Sequence, residues 1–182
     1  MAWIKMIKED EAHDYLRTLY KKYGDPFEGV ANIWKIHSFN PEALRFHYDF
    51  YKHLSTGKSG LSRMQREMIG LVVSTVNQCE YAIVHHGESL FQLTKNGSLI
   101  DGIKKDFRKL NIGDKDIGML EHAEKLTKCP WDIEKADIDK LRDLGFKESD
   151  ILDITLVAAY FAFVTRIASG LGVELEEYWK DK

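Results

Sequence analysis

The chain has 182 residues, 44% hydrophobic and 30% charged, which is ordinary globular usage and excludes a disordered or collagen-like chain. Its 26 basic and 29 acidic residues leave a net charge of -3, so no broad positive field calls for nucleic acid or an anionic membrane as partner. Two cysteines are too few for a disulfide scaffold.

The length predicts a single domain over 1–182. Met1–Ile7 is apolar but broken by Lys5 and followed by the charged run Lys8–Glu11. No signal-peptide core is read there, and a cytoplasmic location is expected.

Glycine and proline divide the sequence into helical lengths, and strand-like alternation is nearly absent, which predicts an all-α fold. Glu9–Tyr23 reads as a first helix, stopped at Gly24-Asp25-Pro26. Asn40-Pro41 starts the next, with Asn as N-cap and Pro where its missing N–H costs nothing; Leu44, Tyr48 and Tyr51 form its stripe, and Gly57 ends it. Ser62 with Gln65 makes a capping box for a helix running to Val76. Asn77-Gln78 interrupts, and a further helix is predicted from Cys79 to about Thr94.

Helical spacing continues in Ser98–Leu110, Asp114–Thr127 and Lys135–Leu144, the last closed by Gly145. Ser149 to about Ser169 is the longest helix and is apolar nearly all round, so other helices are expected to wrap it on most sides. Its uninterrupted apolar stretch, Ile154–Val164, has eleven residues if Thr155 is admitted, short of the ~20 that cross a membrane. Trp131 and Trp179 are expected to seal edges.

The chemistry concentrates between Glu67 and His86, where Glu67, Cys79, Tyr81, His85 and His86 stand on an apolar background. If Cys79 begins a helix, positions 79, 82 and 86 share one face. The thiol then sits in the first turn, where unpaired N–H groups and the helix dipole favour an anion. His86, two turns on, is placed to exchange a proton on that face, and Glu67 to orient its ring. Singly, each residue has a bland reading: a buried cysteine is most often a small hydrophobe, and Glu67 has Arg63 and Arg66 as neighbours. By type, Glu67, His85 and His86 suit zinc or iron. Adjacent helical residues diverge by ~100°, however, so no metal and no cofactor are expected.

Glu67 is followed after eleven residues by Cys79, and His86 stands seven beyond the cysteine. This spacing resembles the motif of the alkylhydroperoxidase D-like (AhpD-like) family, grouped with the carboxymuconolactone decarboxylases, and in particular its peroxidase-related branch. The local run Asn77-Gln78-Cys79-Glu80-Tyr81-Ala82-Ile83-Val84-His85-His86 is similar to that branch. So are Asn32-Ile33-Trp34 ahead of Asn40-Pro41-Glu42, Leu61-Ser62-Arg63, and Arg166-Ile167-Ala168 before Gly170-Leu171-Gly172. The likeness covers the chain from roughly Val30 to Val173.

The resemblance implies an AhpD-like helical bundle, a homo-oligomer, and an oxidoreductase that reduces hydroperoxides with electrons from a dithiol reductant protein. In the family's mechanism the second cysteine of the motif, activated through a Glu–water–His relay, attacks the peroxide, and the first closes a disulfide. Here Glu67 and His86 keep the relay, Cys79 keeps the resolving position, and Tyr81 and His85 line the substrate pocket. The attacking position is Ala82, whose methyl forms no thiolate, sulfenic acid or disulfide. Peroxidase turnover is therefore expected to be impaired or absent. A second reading is a non-redox decarboxylase-like enzyme with His85 or His86 as general acid or base; a third is a catalytically silent assembly protein.

Overall fold

The computed structural model describes residues 2–179. The helices are α1 (Asp14–Tyr23), α2 (Asn32–Lys35), α3 (Pro41–Thr56), α4 (Arg63–Val76), α5 (Glu80–Thr94), α6 (Gly97–Asp106), α7 (Asp114–Lys128), α8 (Lys135–Asp143) and α9 (Glu148–Leu171). Among the described residues the only strand-like pairing is an isolated bridge between Asp25 and Gly29, as the all-α expectation requires. The first helix starts five residues later than its sequence pattern suggests, and α2 was not legible at all. It is four residues long, too short for a period to register.

The chain resolves into two compact units, one of residues 1–53 with 166–182 and the other of 54–165. In the first, α1 buries Leu16, Leu19, Tyr20 and Tyr23 against Ala12, Val30 and Leu44, with Ile7, Trp34 and Tyr48 packed alongside. Tyr23 and Tyr48 stack with ring centroids 3.8 Å apart, so the stripe read on α3 faces this core. The extended N-terminal arm is held by its backbone. Trp3 N donates to Leu171 O at 2.8 Å, Ile7 N to Ser38 Oγ at 3.0 Å, and Tyr20 Oη to Ile7 O at 3.0 Å.

This unit also contains a buried histidine pair. His37 Nδ1–H donates to Ile33 O at 3.0 Å, which leaves its Nε2 to accept from His47 Nδ1 at 3.2 Å. Burial lowers the pKa of His37. Burial first, and then the electrostatic proximity of His37, push His47 down to about 3. Both rings are thus neutral in the folded protein and take up protons on unfolding below their ordinary value of ~6.5. Their contribution to stability is complete above that pH and is lost as pH falls toward 3. At ~1.4 kcal/mol per unit, on the order of 3 kcal/mol goes by about pH 4. Thermal melts between pH 7 and 4 are expected to show this decline, and His47→Phe to flatten it; an unchanged slope in the variant would contradict the assignment.

The second unit is built around α4, on which Met68, Ile69, Leu71, Val72 and Val73 are all buried. β-branched residues at three of these positions, Ile69, Val72 and Val73, do not prevent the helix, because α5, α6 and α7 cover it and packing overrides a small propensity deficit. Arg66 is buried at the start of α4 and donates to the carbonyls of Leu54, Gly57 and Leu61, tying the preceding loop to the helix. It therefore does not serve Glu67. The portion of α9 in this unit buries Ile151, Ile154, Val157, Ala158, Tyr160 and Phe161.

Two expectations about the apolar surface need correction. The helix α9 has 24 residues and the length and apolarity of a membrane-crossing helix, yet only half of its apolar window is buried within the protein. It is not wrapped on most sides: Leu152 is 57% and Phe163 48% exposed. The eleven-residue apolar stretch understated its reach because Ile151, Leu152, Ile167 and Ala168 extend the apolar pattern past Asp153 and Arg166. Trp131 seals no edge, being 78% exposed, while Trp179 is half-buried in a terminal 3₁₀ turn.

Candidate functional site

The site lies in the second unit, at the seam of α4 and α5. The helix α4 opens with the expected capping box: Gln65 N donates to Ser62 Oγ at 3.1 Å and Ser62 N to Gln65 Oε1 at 2.9 Å. That cap sets the phase of the helix, so Glu67 in the following turn points inward and is buried.

At its other end α4 closes in a Schellman motif. Gln78 takes a left-handed backbone, φ 52°. Its N–H donates to Thr75 O at 3.1 Å and the N–H of Cys79 to Ser74 O at 3.0 Å. Glycine usually occupies the left-handed position, and a side chain there costs about 1 kcal/mol. The side chain of neighbouring Asn77 anchors the turn by donating to Thr165 Oγ1 at 2.9 Å.

Cys79 is thus the residue that ends one helix and begins the next. It is the N-cap of α5, with extended backbone at φ -94° and ψ 95°, and not a member of the first helical turn as its spacing suggests. Its carbonyl accepts the first intrahelical bond, from Ile83 N at 2.9 Å. The thiol is buried, and so is Ala82 at the third helical position. One turn beyond Ala82, on the same face, is His86.

His86 Nδ1 and Glu67 Oε2 are 2.9 Å apart, both side chains nearly buried. A neutral imidazole donating from Nδ1 to the carboxylate keeps its lone pair on Nε2, the form needed to take a proton. The contact is direct, whereas the relay implied by the resemblance passes through a water. Phe161 closes over the ring edge-on, with centroids 4.2 Å apart.

Opposite lies Gly70, one turn along α4 from Glu67. A Cβ there would come within 2.6 Å of His86 Cε1 and Nδ1. Neither Gly70 nor Phe161 was singled out from the sequence. The signal for Gly70 was available: a glycine within a buried helical run is unfavourable unless something needs the space.

Tyr81 and His85 stand on the neighbouring stripe of α5, their rings in tilted contact with centroids 4.5 Å apart. Tyr81 is buried and His85 half-buried. The structure therefore joins Glu67 to His86 and Tyr81 to His85, and puts Cys79 and Ala82 at the head of the same helix. Glu67, His85 and His86 do not form a metal set, and no cluster of three metal-ligating side chains occurs among the described residues.

The all-helical fold, with a buried carboxylate–imidazole pair beneath a cysteine at a helix N-cap position, can be set beside known proteins. The carboxymuconolactone decarboxylase family matches residues 41–93, which include Glu67, Cys79 and His86. An uncharacterized peroxidase-related protein from Silicibacter sp. TM1040 shares 30% identity and a TM-score of 0.89, over 98% of this chain and 93% of that one. A second such protein, from Ralstonia eutropha JMP134 and described as an alkylhydroperoxidase AhpD core, shares 26% identity and a TM-score of 0.88, over 98% and 94%.

The chain belongs to the carboxymuconolactone decarboxylase family, in its AhpD-like, peroxidase-related branch. The apo debrominase Bmp8 has the same fold at 15% identity and a TM-score of 0.80, over 97% of this chain and 93% of that one. Comparison with curated proteins gives no match.

Proposed function

We propose that this protein is a thiol oxidoreductase of the hydroperoxide-reducing class whose attacking position, Ala82, carries no sulfur. The observation that carries the reading is the 2.9 Å pairing of Glu67 with His86 one helical turn from position 82. A buried carboxylate holding an imidazole in one tautomer makes a base. On this helix face the base serves a proton donor near the head of α5, where Cys79 is the sulfur that remains. The peroxidase-related relatives at 30% and 26% identity support the same chemistry.

Complete turnover needs two sulfurs. One attacks the peroxide, breaking the O–O bond, releasing alcohol and becoming a sulfenic acid. The other displaces water from it to form a disulfide, which a dithiol reductant protein reopens. With Cys79 alone only the first half is open, and an external thiol must complete the second. A reducing cytoplasm suits such a site. Hydroperoxide consumption in the presence of a small dithiol is expected to stay near background for the unmodified chain. A slow sulfenic-acid adduct is expected at Cys79 and not in Cys79→Ser. Rapid turnover that survives Cys79→Ser would remove the reading.

The protein works as a homo-oligomer on this reading. Leu152, Ala159 and Phe163 are exposed on α9 at steps of seven and four residues, which place them on one face. A second copy of the chain offers the same apolar stripe in a self-complementary contact. Light scattering is expected to give at least twice the 21.1 kDa of the chain. Leu152→Glu combined with Phe163→Glu is expected to lower that mass, and an unchanged mass would place the contact elsewhere.

A further inference from the structure

Neither the thiol nor the base of the proposed site is placed by α5 alone. Cys79 is the N-cap, with non-helical backbone, so its position follows the turn before it and not the hydrogen-bond ladder of the helix. His86 is tied at one ring atom, Nδ1, and a ring held at one atom can still swing about its side-chain bonds. One turn of α9 reaches both. Phe161 meets the His86 ring edge-on, with centroids 4.2 Å apart, and Thr165 Oγ1 accepts from Asn77 Nδ2 at 2.9 Å. Phe161 and Thr165 are four residues apart and so share a helix face, and both are buried.

The Thr165 hydroxyl has its one proton committed. It donates to Ala162 O at 3.0 Å, which leaves an oxygen lone pair for Asn77. Asn77 is the C-cap of α4, one residue before the left-handed Gln78 and two before Cys79. Its amide therefore pins the turn that carries the thiol. Without the acceptor, a donor N–H would be left unsatisfied against a buried side chain, and the turn would gain an open form. At the other end of the same helix turn, Phe161 and Gly70 bound the imidazole on two sides, Gly70 so closely that a Cβ there would come within 2.6 Å of Cε1 and Nδ1. An aliphatic side chain at position 161 presents no flat ring, and the imidazole would be free to leave Glu67 or to turn over.

We propose that Phe161 and Thr165 are positioning residues, which together set the base against the sulfur at the head of α5. Phe161 keeps the His86 ring in the orientation in which Nδ1 faces Glu67 and Nε2 keeps its lone pair. Thr165 keeps the N-cap turn closed, so that Cys79 stays buried three residues from position 82. Four residues of helix rise only ~6 Å, and the backbone between them is hydrogen-bonded, so the two contacts are held by one stiff element. Neither residue acts on a substrate directly. Their role rests on the function proposed above for Glu67, His86 and Cys79.

The test uses the full-length chain and no peroxide. Iodoacetamide labelling of Cys79, read by peptide mapping, reports opening of the turn, because a thiol only 4% exposed reacts when it is uncovered. Thr165→Val removes the acceptor at nearly constant shape and is expected to speed that labelling about tenfold, with Thr165→Ser at the unmodified rate. The half-buried Cys129 is the reference within the same molecule, and its rate is expected to stay constant. Equal acceleration at both cysteines would mean global loosening and would overturn the assignment of Thr165. In chain labelled with nitrogen-15 histidine, His86 is expected to show one tautomer, protonated at Nδ1, and Phe161→Leu an average of two, with the His37 signals unchanged. Unchanged Cys79 labelling in Thr165→Val, or an unchanged His86 tautomer in Phe161→Leu, would overturn the proposal. Both responses, together with no turnover in Ala82→Cys, would uphold the positioning role and remove the hydroperoxide chemistry, so the two failures are told apart.

Discussion

The Ala82→Cys variant is expected to form an intramolecular disulfide with Cys79 when treated with one equivalent of a hydroperoxide. Dithiol-dependent turnover should rise by at least about a hundredfold, the lower end of what a positioned base contributes. The N-cap and third helical positions are near neighbours, as capping boxes show. Helical residues three apart have Cβ atoms ~5–6 Å apart, and the extended backbone of Cys79 gives the freedom to approach the ~3.8 Å of a disulfide.

Position 82 is buried, so the added sulfur costs on the order of 1 kcal/mol of packing, small beside the functional gain. Glu67→Gln in this background is expected to remove most of the gain, because the amide no longer stabilises the imidazolium that forms during proton transfer. Mobility on a non-reducing gel reports the disulfide, and peroxide consumption reports the turnover. If Ala82→Cys folds but yields no disulfide, the geometry attributed to the site is wrong.

The second large effect is expected from the smallest available change, Gly70→Ala. The new methyl would sit 2.6 Å from two atoms of the His86 ring, well inside contact distance. His86 has nowhere to retreat, being bound to Glu67 on one side and covered by Phe161 on another. A clash of this kind in a packed interior costs ~1–3 kcal/mol, against a gain of up to ~1 kcal/mol from replacing a mid-helix glycine. At ~2–4 °C per kcal/mol for a chain of this size, the melting temperature is expected to drop by several degrees. The Glu67–His86 contact should break, so Gly70→Ala placed on Ala82→Cys is expected to abolish the restored turnover. A melting temperature at or above that of the unmodified protein would mean that His86 moves aside freely.

Much of this was legible in the sequence because it rests on local rules. The capping box at Ser62, the stop at Asn77-Gln78 and the stripe of Leu44, Tyr48 and Tyr51 depend on neighbours three or four residues apart. So does the sharing of a face by positions 79, 82 and 86. The Glu67–His86 contact was suggested by residue type and strengthened by family spacing, since nothing local links residues on consecutive helices.

What could not be read depends on tertiary surroundings. The covered side of α9 cannot be told from its exposed side when both are apolar. The His37–His47 pair joins α3 to the turn after α2, a helix too short to announce itself. The placement of Cys79 differed by one residue, because a Schellman closure and an N-cap meet there and the sequence marks the junction only by Asn77 and Gln78.

That junction has a further consequence. The hydrogen bonds that fix the reactive seam run from main-chain groups of Gln78 and Cys79 to those of Thr75 and Ser74, and none involves the side chain at position 82. The backbone frame of the proposed redox site is therefore indifferent to whether a second sulfur is present. A lineage could discard that atom and retain the scaffold, and a single codon change would suffice to put it back.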